Sequence, residues 1–235
     1  MLGIPHALVD IAPFAPLEIE HLDERKDKVR ARFGVSGTEP SFTAGLMPPY
    51  WHPAERHYRV PIDETRTEGA PEIVATFGTN AGLLLSGSKL LHIVAEALGQ
   101  VLARAVLAIG EGEWTGPRPA NVELRPEVPQ QQLLNTAKVF VTHAGYSSVR
   151  ESLTAGVPMV AVPLFADQPR NAAKVEELKA GVSVEVKGLI AGALAEKIKN
   201  VLDAKTYHNA AETLAAEMAE LPVFTTIPDH LVSAV

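Results

Sequence analysis

The chain has 235 residues, 46% of them hydrophobic, enough for one large domain or two small ones with a sizeable core. Its 21 basic and 28 acidic side chains leave a net charge of −7, which argues against a general nucleic-acid or membrane-surface binder. The absence of cysteine rules out disulfides and thiolate metal sites and fits a cytoplasmic protein. The opening MLGIPHALVD lacks the basic start of a secretory signal. The longest apolar stretch, residues 157–166, is interrupted by Pro158 and Pro163 and is too short to span a bilayer.

Taken in order, residues 2–9 (LGIPHALV) read as a turn and a short strand. Residues 17–33 are charged and helical in pattern, with mixed pairs on an exposed face. Residues 34–71 carry Pro48, Pro49, Pro53 and Pro61 and few apolar runs, so they read as a linker or an irregular arm. Residues 72–77 (EIVATF) form the first strand of the main domain, followed by a turn at Gly78-Thr79-Asn80. Residues 88–102 place Leu90, Leu91, Val94, Ala95, Leu98 and Leu102 at helical spacing. A strand over 105–109, a loop rich in Gly and Pro over 111–119, a short strand over 122–125 and one or two helical turns over 130–135 follow.

Residues 126–171 organise the rest. Residues 138–142 (KVFVT) read as a buried strand that stops at His143-Ala144-Gly145. Ser148-Val149-Arg150-Glu151 fits a capping box, with Ser at the N-cap and Glu three residues on. Gly156 ends that helix, Pro158 blocks its continuation, and residues 159–164 form the next strand. Asp167 is a natural N-cap for a helix over 168–179, with Pro169 in its first turn and Gly181 closing it. A strand over 182–186, helices over 190–202 and 204–221, and a tail with a short helix from Pro228 complete the chain. Strands alternating with helices specify an α/β fold, a Rossmann-like parallel sheet flanked by helices.

Two successive strand-to-helix turns belong at the carboxyl edge of a parallel sheet, where ligands bind. A helix N-terminus there favours an anion such as a pyrophosphate. His143 can donate a second contact from the strand end. Glu151 and Asp167 can accept hydrogen bonds from the hydroxyls of a ribose or a sugar. Each residue also has a purely structural reading. A His ending a buried strand can be a hydrogen-bonded core residue, Ser147 and Ser148 can serve only as caps, Glu151 can only close the capping box, and Asp167-Gln168 can only start a helix.

PQ at 129–130, HAGYSSVRES at 143–152, GVP at 156–158 and P-x-x-x-DQ-x-x-NA at 163–172 together resemble the donor-binding signature of nucleotide-sugar glycosyltransferases. The resemblance is to the group of bacterial macrolide-antibiotic glycosyltransferases and plant and animal UDP-glycosyltransferases, and it covers roughly residues 70–225. It implies a GT-B fold, two Rossmann-like domains with the active site between them. Residues 71–235 would be the nucleotide-sugar-binding domain, and residues 1–70 the tail of an acceptor-side domain plus linker. It implies a hexosyltransferase that moves a sugar from UDP- or dTDP-sugar, as co-substrate, to an acceptor hydroxyl. No further cofactor and no metal are implied. The implied donor-binding residues are Thr79, Val128, Gln130, His143, Gly145, Tyr146, Ser147, Ser148, Glu151, Asp167 and Gln168. Asn171, one helical turn on, is placed to contact or orient the site. The family's catalytic base is a His near the start of its first domain, and no residue here matches it. The alternatives are a non-catalytic nucleotide-sugar-binding subunit that needs a separate acceptor-binding chain, or a truncated inactive product. Two positions depart from the pattern. Glu127 stands where many members stack a Trp on the base, and Tyr146 replaces a Trp after His-x-Gly.

Overall fold

The computed structural model describes residues 7–10, 42–51, 54–62, 65, 69–78 and 88–227. The chain divides into two compact units, Met1–Pro61 with Leu221–Val235, and Ile62–Glu220. The expected helix over 17–33, the turn residues Thr79 and Asn80, and the helix from Pro228 lie outside the described residues.

The first unit holds β1 (Ala7–Asp10), β2 (Phe42–Gly45) and β3 (Arg56–His57), paired in that order as a parallel sheet. Ala44, Leu46, Tyr58 and Ile227 form its small apolar cluster. Two of these strands fall within the stretch read from its prolines as irregular. They are short enough to fit between the prolines. They are fastened by a reciprocal pair in which the Thr43 N–H donates to Glu55 Oε2 and the Glu55 N–H to Thr43 Oγ1, at 2.8 and 3.0 Å.

The second unit is a six-stranded sheet, parallel at every pairing. In chain order its elements are β4 (Ile73–Thr76), α1 (Lys89–Gly99), β5 (Ala105–Ala108), β6 (Val122–Arg125), α2 (Gln130–Leu134), β7 (Val139–Thr142), α3 (Tyr146–Thr154), β8 (Met159–Ala161), α4 (Gln168–Glu177), β9 (Gly181–Ser183), α5 (Ala191–Asp203) and α6 (Lys205–Ala219). The strand order is β6-β5-β4-β7-β8-β9. The chain therefore starts in the middle, builds outward on one side, then returns to build the other. That is the doubly wound order, with its switch point between β4 and β7.

Central β4 and β7 are buried along their whole length, so both read as unbroken apolar runs rather than alternating ones. Right-handed crossovers leaving in opposite directions put their helices on opposite faces. In agreement, α1 packs beside α5, and α3 beside α2, α4 and α6. Ile73, Ala75 and Phe77 of the β4 segment, with Val139 and Val141 of β7, meet Leu91, Val94 and Leu98 of α1 and Leu194 and Ile198 of α5. Asn121 pins the turn before β5, its amide donating to the carbonyls of Leu98, Val101 and Ala103 at 2.8–3.0 Å.

Several boundaries differ from the sequence reading, and three of them have a local physical cause. Leu102 was counted on the apolar face of the first helix, but α1 ends at Gly99 and Leu102 is fully exposed in the following turn. β8 stops at Ala161, two residues before Pro163, although the Val162 N–H still reaches Thr142 O at 2.7 Å. Gly181 does not close the α4 helix, because Lys179 takes the left-handed position with φ +55°. Gly181 instead opens β9, where a Cβ would fall 2.8 Å from the backbone carbon of Met159. Gly is required there because the neighbouring strand comes so close.

Candidate functional site

A cleft of about 640 Å³ opens at the carboxyl ends of β4, β5, β6 and β7, over the switch point. Of the residues singled out from the sequence, Val128, Gln130, His143, Gly145, Tyr146, Ser147, Ser148 and Glu151 line it. Asp167 and Gln168 are not among its lining residues. Gly78, from the turn after the first strand, also lines it, as do Thr76 and Glu111, which the motifs do not single out. Thr76 offered one signal, a hydroxyl ending an otherwise apolar strand.

α3 starts at Tyr146 with Gly145 as its N-cap, and no side chain caps it. The capping box read from Ser148 and Glu151 is therefore not formed. Both serines lie inside the first turn, Ser148 buried and Ser147 exposed. The cap residue at the start of α3 gives no side-chain acceptor, and the aligned peptide dipoles favour an anion beside the Ser147 and Ser148 N–H groups.

The reason for glycine at the cap is the imidazole beside it. The His143 ring lies between Gly78 and Gly145. A Cβ on Gly78 would stand 2.9 Å from His143 Cε1, and one on Gly145 would run into Nε2 and stand 3.0 Å from Cε1. Burial pushes the His143 pKa down to about 4, and the nearby Asp167 carboxylate offsets this only in part. The ring is neutral at neutral pH and donates from one nitrogen. Thr142 Oγ1 accepts from the Ala144 N–H at 3.3 Å and lies 3.4 Å from His143 Nδ1. A Thr142 proton directed at Nδ1 would leave the ring proton on Nε2, the nitrogen beside Gly145.

Glu151 is held by a relay. The Thr76 hydroxyl donates to Gln130 Oε1, and Gln130 Nε2 donates to Glu151 Oε2 at 2.7 Å. Gln131 Nε2 reaches Glu151 Oε1 at 3.3 Å. Each carboxylate oxygen keeps a lone pair for a hydroxyl donor. The cleft side chains include the carboxylates of Glu111, Glu127 and Glu151 and no Lys or Arg. Among the described residues, the donors that face an anion there are backbone N–H groups and a neutral imidazole.

Asp167 is the N-cap of α4, but its carboxylate turns from the helix end and accepts from Asn171 Nδ2 at 2.8 Å. Gln168 is 4% exposed, and its Oε1 accepts from the Leu164 and Phe165 N–H groups at 2.8 and 3.1 Å, fastening the loop after β8. No group of three or more His, Cys, Asp or Glu side chains among the described residues is arranged to hold a metal ion. No helix among them is long and apolar enough to cross a membrane.

Residues 73–223 match the family described as UDP-glucoronosyl and UDP-glucosyl transferase. UDP-glucuronosyltransferase 3A2 of Homo sapiens is 41% identical over 109 residues, which are 46% of this chain and 21% of that protein. The chain thus spans about a fifth of that relative. Among solved structures, spinosyn forosaminyltransferase SpnP aligns with a TM-score of 0.80 at 16% identity, over 99% of this chain and 71% of that one. Spinosyn rhamnosyltransferase SpnG complexed with thymidine diphosphate aligns with a TM-score of 0.72 at 18% identity, over 97% of this chain and 67% of that one.

Proposed function

The chain belongs to the UDP-glucoronosyl and UDP-glucosyl transferase family, and from that premise we propose that its cleft binds the nucleoside diphosphate of a UDP- or dTDP-sugar. The protein then serves as the donor-binding half of a hexosyltransferase acting on an acceptor hydroxyl. The observation that carries this reading is the open start of α3, with the His143 imidazole on one side and the buttressed Glu151 on the other. The diphosphate meets the N–H groups of Ser147 and Ser148 and the His143 imidazole. Glu151 accepts from the ribose hydroxyls. Asp167 lies toward the transferred sugar.

In the transfer, the acceptor oxygen attacks the anomeric carbon while the bond from that carbon to the β-phosphate oxygen breaks. The electron pair stays on the leaving diphosphate, and the hydroxyl proton passes to a general base that we place outside residues 62–220. The contribution of the cleft is to stabilise the charge that grows on the leaving phosphate. Fixed donors in a partly dry site do this without reorganising. The cysteine-free sequence supports a cytoplasmic location.

Calorimetric titration with UDP and with dTDP tests this. Saturable binding is expected, weakened about tenfold by His143→Ala, the cost of one charge-assisted hydrogen bond. A folded chain that takes up neither nucleotide at millimolar concentration sinks the reading.

A further inference from the structure

Asn171 ties the two strand-to-helix turns together. It stands one turn into α4 and is 1% exposed. Its Nδ2 donates to Ala144 O at 3.0 Å and to Asp167 Oδ2 at 2.8 Å. Both protons of one amide are therefore spent, one on each turn.

The Ala144 end of this tie is under strain. Ala144 is fully buried and adopts φ +61°, the left-handed region that costs a residue with a Cβ about 1 kcal/mol relative to glycine. Its two neighbours are His143 and Gly145, the imidazole donor and the cap residue of α3. A relaxation of Ala144 to negative φ would swing both. The Asn171 amide opposes that relaxation by holding the Ala144 carbonyl in place.

We infer that Asn171 is a positioning residue for the donor site: by clamping the left-handed Ala144 it aims His143 and the first turn of α3 into the cleft, while its second proton parks the Asp167 carboxylate near the imidazole. This rests on the reading of the cleft as a diphosphate site. Asn171 itself touches no ligand and acts through Ala144 and Asp167.

The clamp can be separated from ordinary core packing by a rescue experiment. Asn171→Ala removes the clamp. Adding Ala144→Gly to it supplies a residue that adopts φ +61° without strain. In the ligand-free protein, Asn171→Ala is expected to shift the Gly145 amide and the His143 ring signals in NMR spectra, and the double variant to bring them back. In parallel, UDP affinity falls about tenfold in Asn171→Ala and returns to within about threefold in the double variant. Should Asn171→Ala not fold, Asn171→Ser, which keeps one donor, carries the same comparison. Unmoved His143 and Gly145 signals in the single variant, or no recovery on adding glycine, overturns the inference. So does loss of the fold in both variants with or without glycine at 144, since Asn171 is then a core residue only. If the wild-type chain binds no nucleotide, the reading of the cleft fails, while the ring and amide signals still decide the role of Asn171.

Discussion

Two helices that follow the central strands begin in opposite ways. At α1, after β4, the Ser88 hydroxyl accepts from the Leu91 N–H at 3.4 Å, so the helix caps itself. At α3, after β7, the cap position holds a glycine, and the serines sit too far into the helix to serve. A side-chain cap is worth about 1 kcal/mol of stability. Leaving it out keeps the orphan donors available to an outside anion. One helix start is thus built for stability and the other for binding, although both are written with serine. What separates them is the His143 ring, which occupies the space any capping side chain at 145 would need.

The largest expected effect follows from the half-buried imidazole that enforces this difference. Its pKa is about 4 in the folded chain, against 6.5 for the ordinary side chain. The unfolded chain therefore binds more protons between those values, and stability rises with pH across that window. Stability should be complete above about pH 6.5 and fall by up to about 3 kcal/mol as the pH approaches 4. Urea unfolding at a series of pH values should show this share vanish in His143→Ala. An unchanged pH profile in that variant would break the link between burial and the open helix start.

Next in size is an attempt to turn the α3 start into an α1 start. Gly145→Ser offers a hydroxyl cap, but its Cβ displaces His143. UDP affinity should fall about thirtyfold or more, because the imidazole donor and an open N–H are lost together. Titration of the folded variant checks this, and undiminished binding would mean that the helix end is not the anion site. The smallest effect is the converse change. Ser88→Ala should cost about 1 kcal/mol in urea unfolding and leave UDP affinity within about twofold.

The order of elements is legible because the buried strands are short apolar runs, each followed within a few residues by Gly or Pro. Val139 to Thr142, stopped by His143-Ala144-Gly145, shows this best. The position of the α3 cap was not legible. Ser148 and Glu151 have the spacing of a capping box, and only the packing of His143 against Gly78 and Gly145 moves the helix start back. Gln130 could be named from its motif, but its bond to Thr76, 54 residues away, is a product of the sheet order. Gln168 was read as reaching a sugar. Its carbonyl is engaged with the backbone of Leu164 and Phe165, a local competition that composition does not reveal. Thr79 lies outside the described residues and keeps its sequence reading only.

The central claim is that the uncapped start of α3 receives the diphosphate. The most direct measurement is an amide NMR titration of the ¹⁵N-labelled chain with UDP. Saturable shifts of the Ser147 and Ser148 N–H signals together with the His143 ring are expected, while the Leu91 N–H at the capped start of α1 stays in place. Saturation that leaves the Ser147 and Ser148 amides unmoved would contradict this, because the nucleotide would then be held somewhere other than the open helix end.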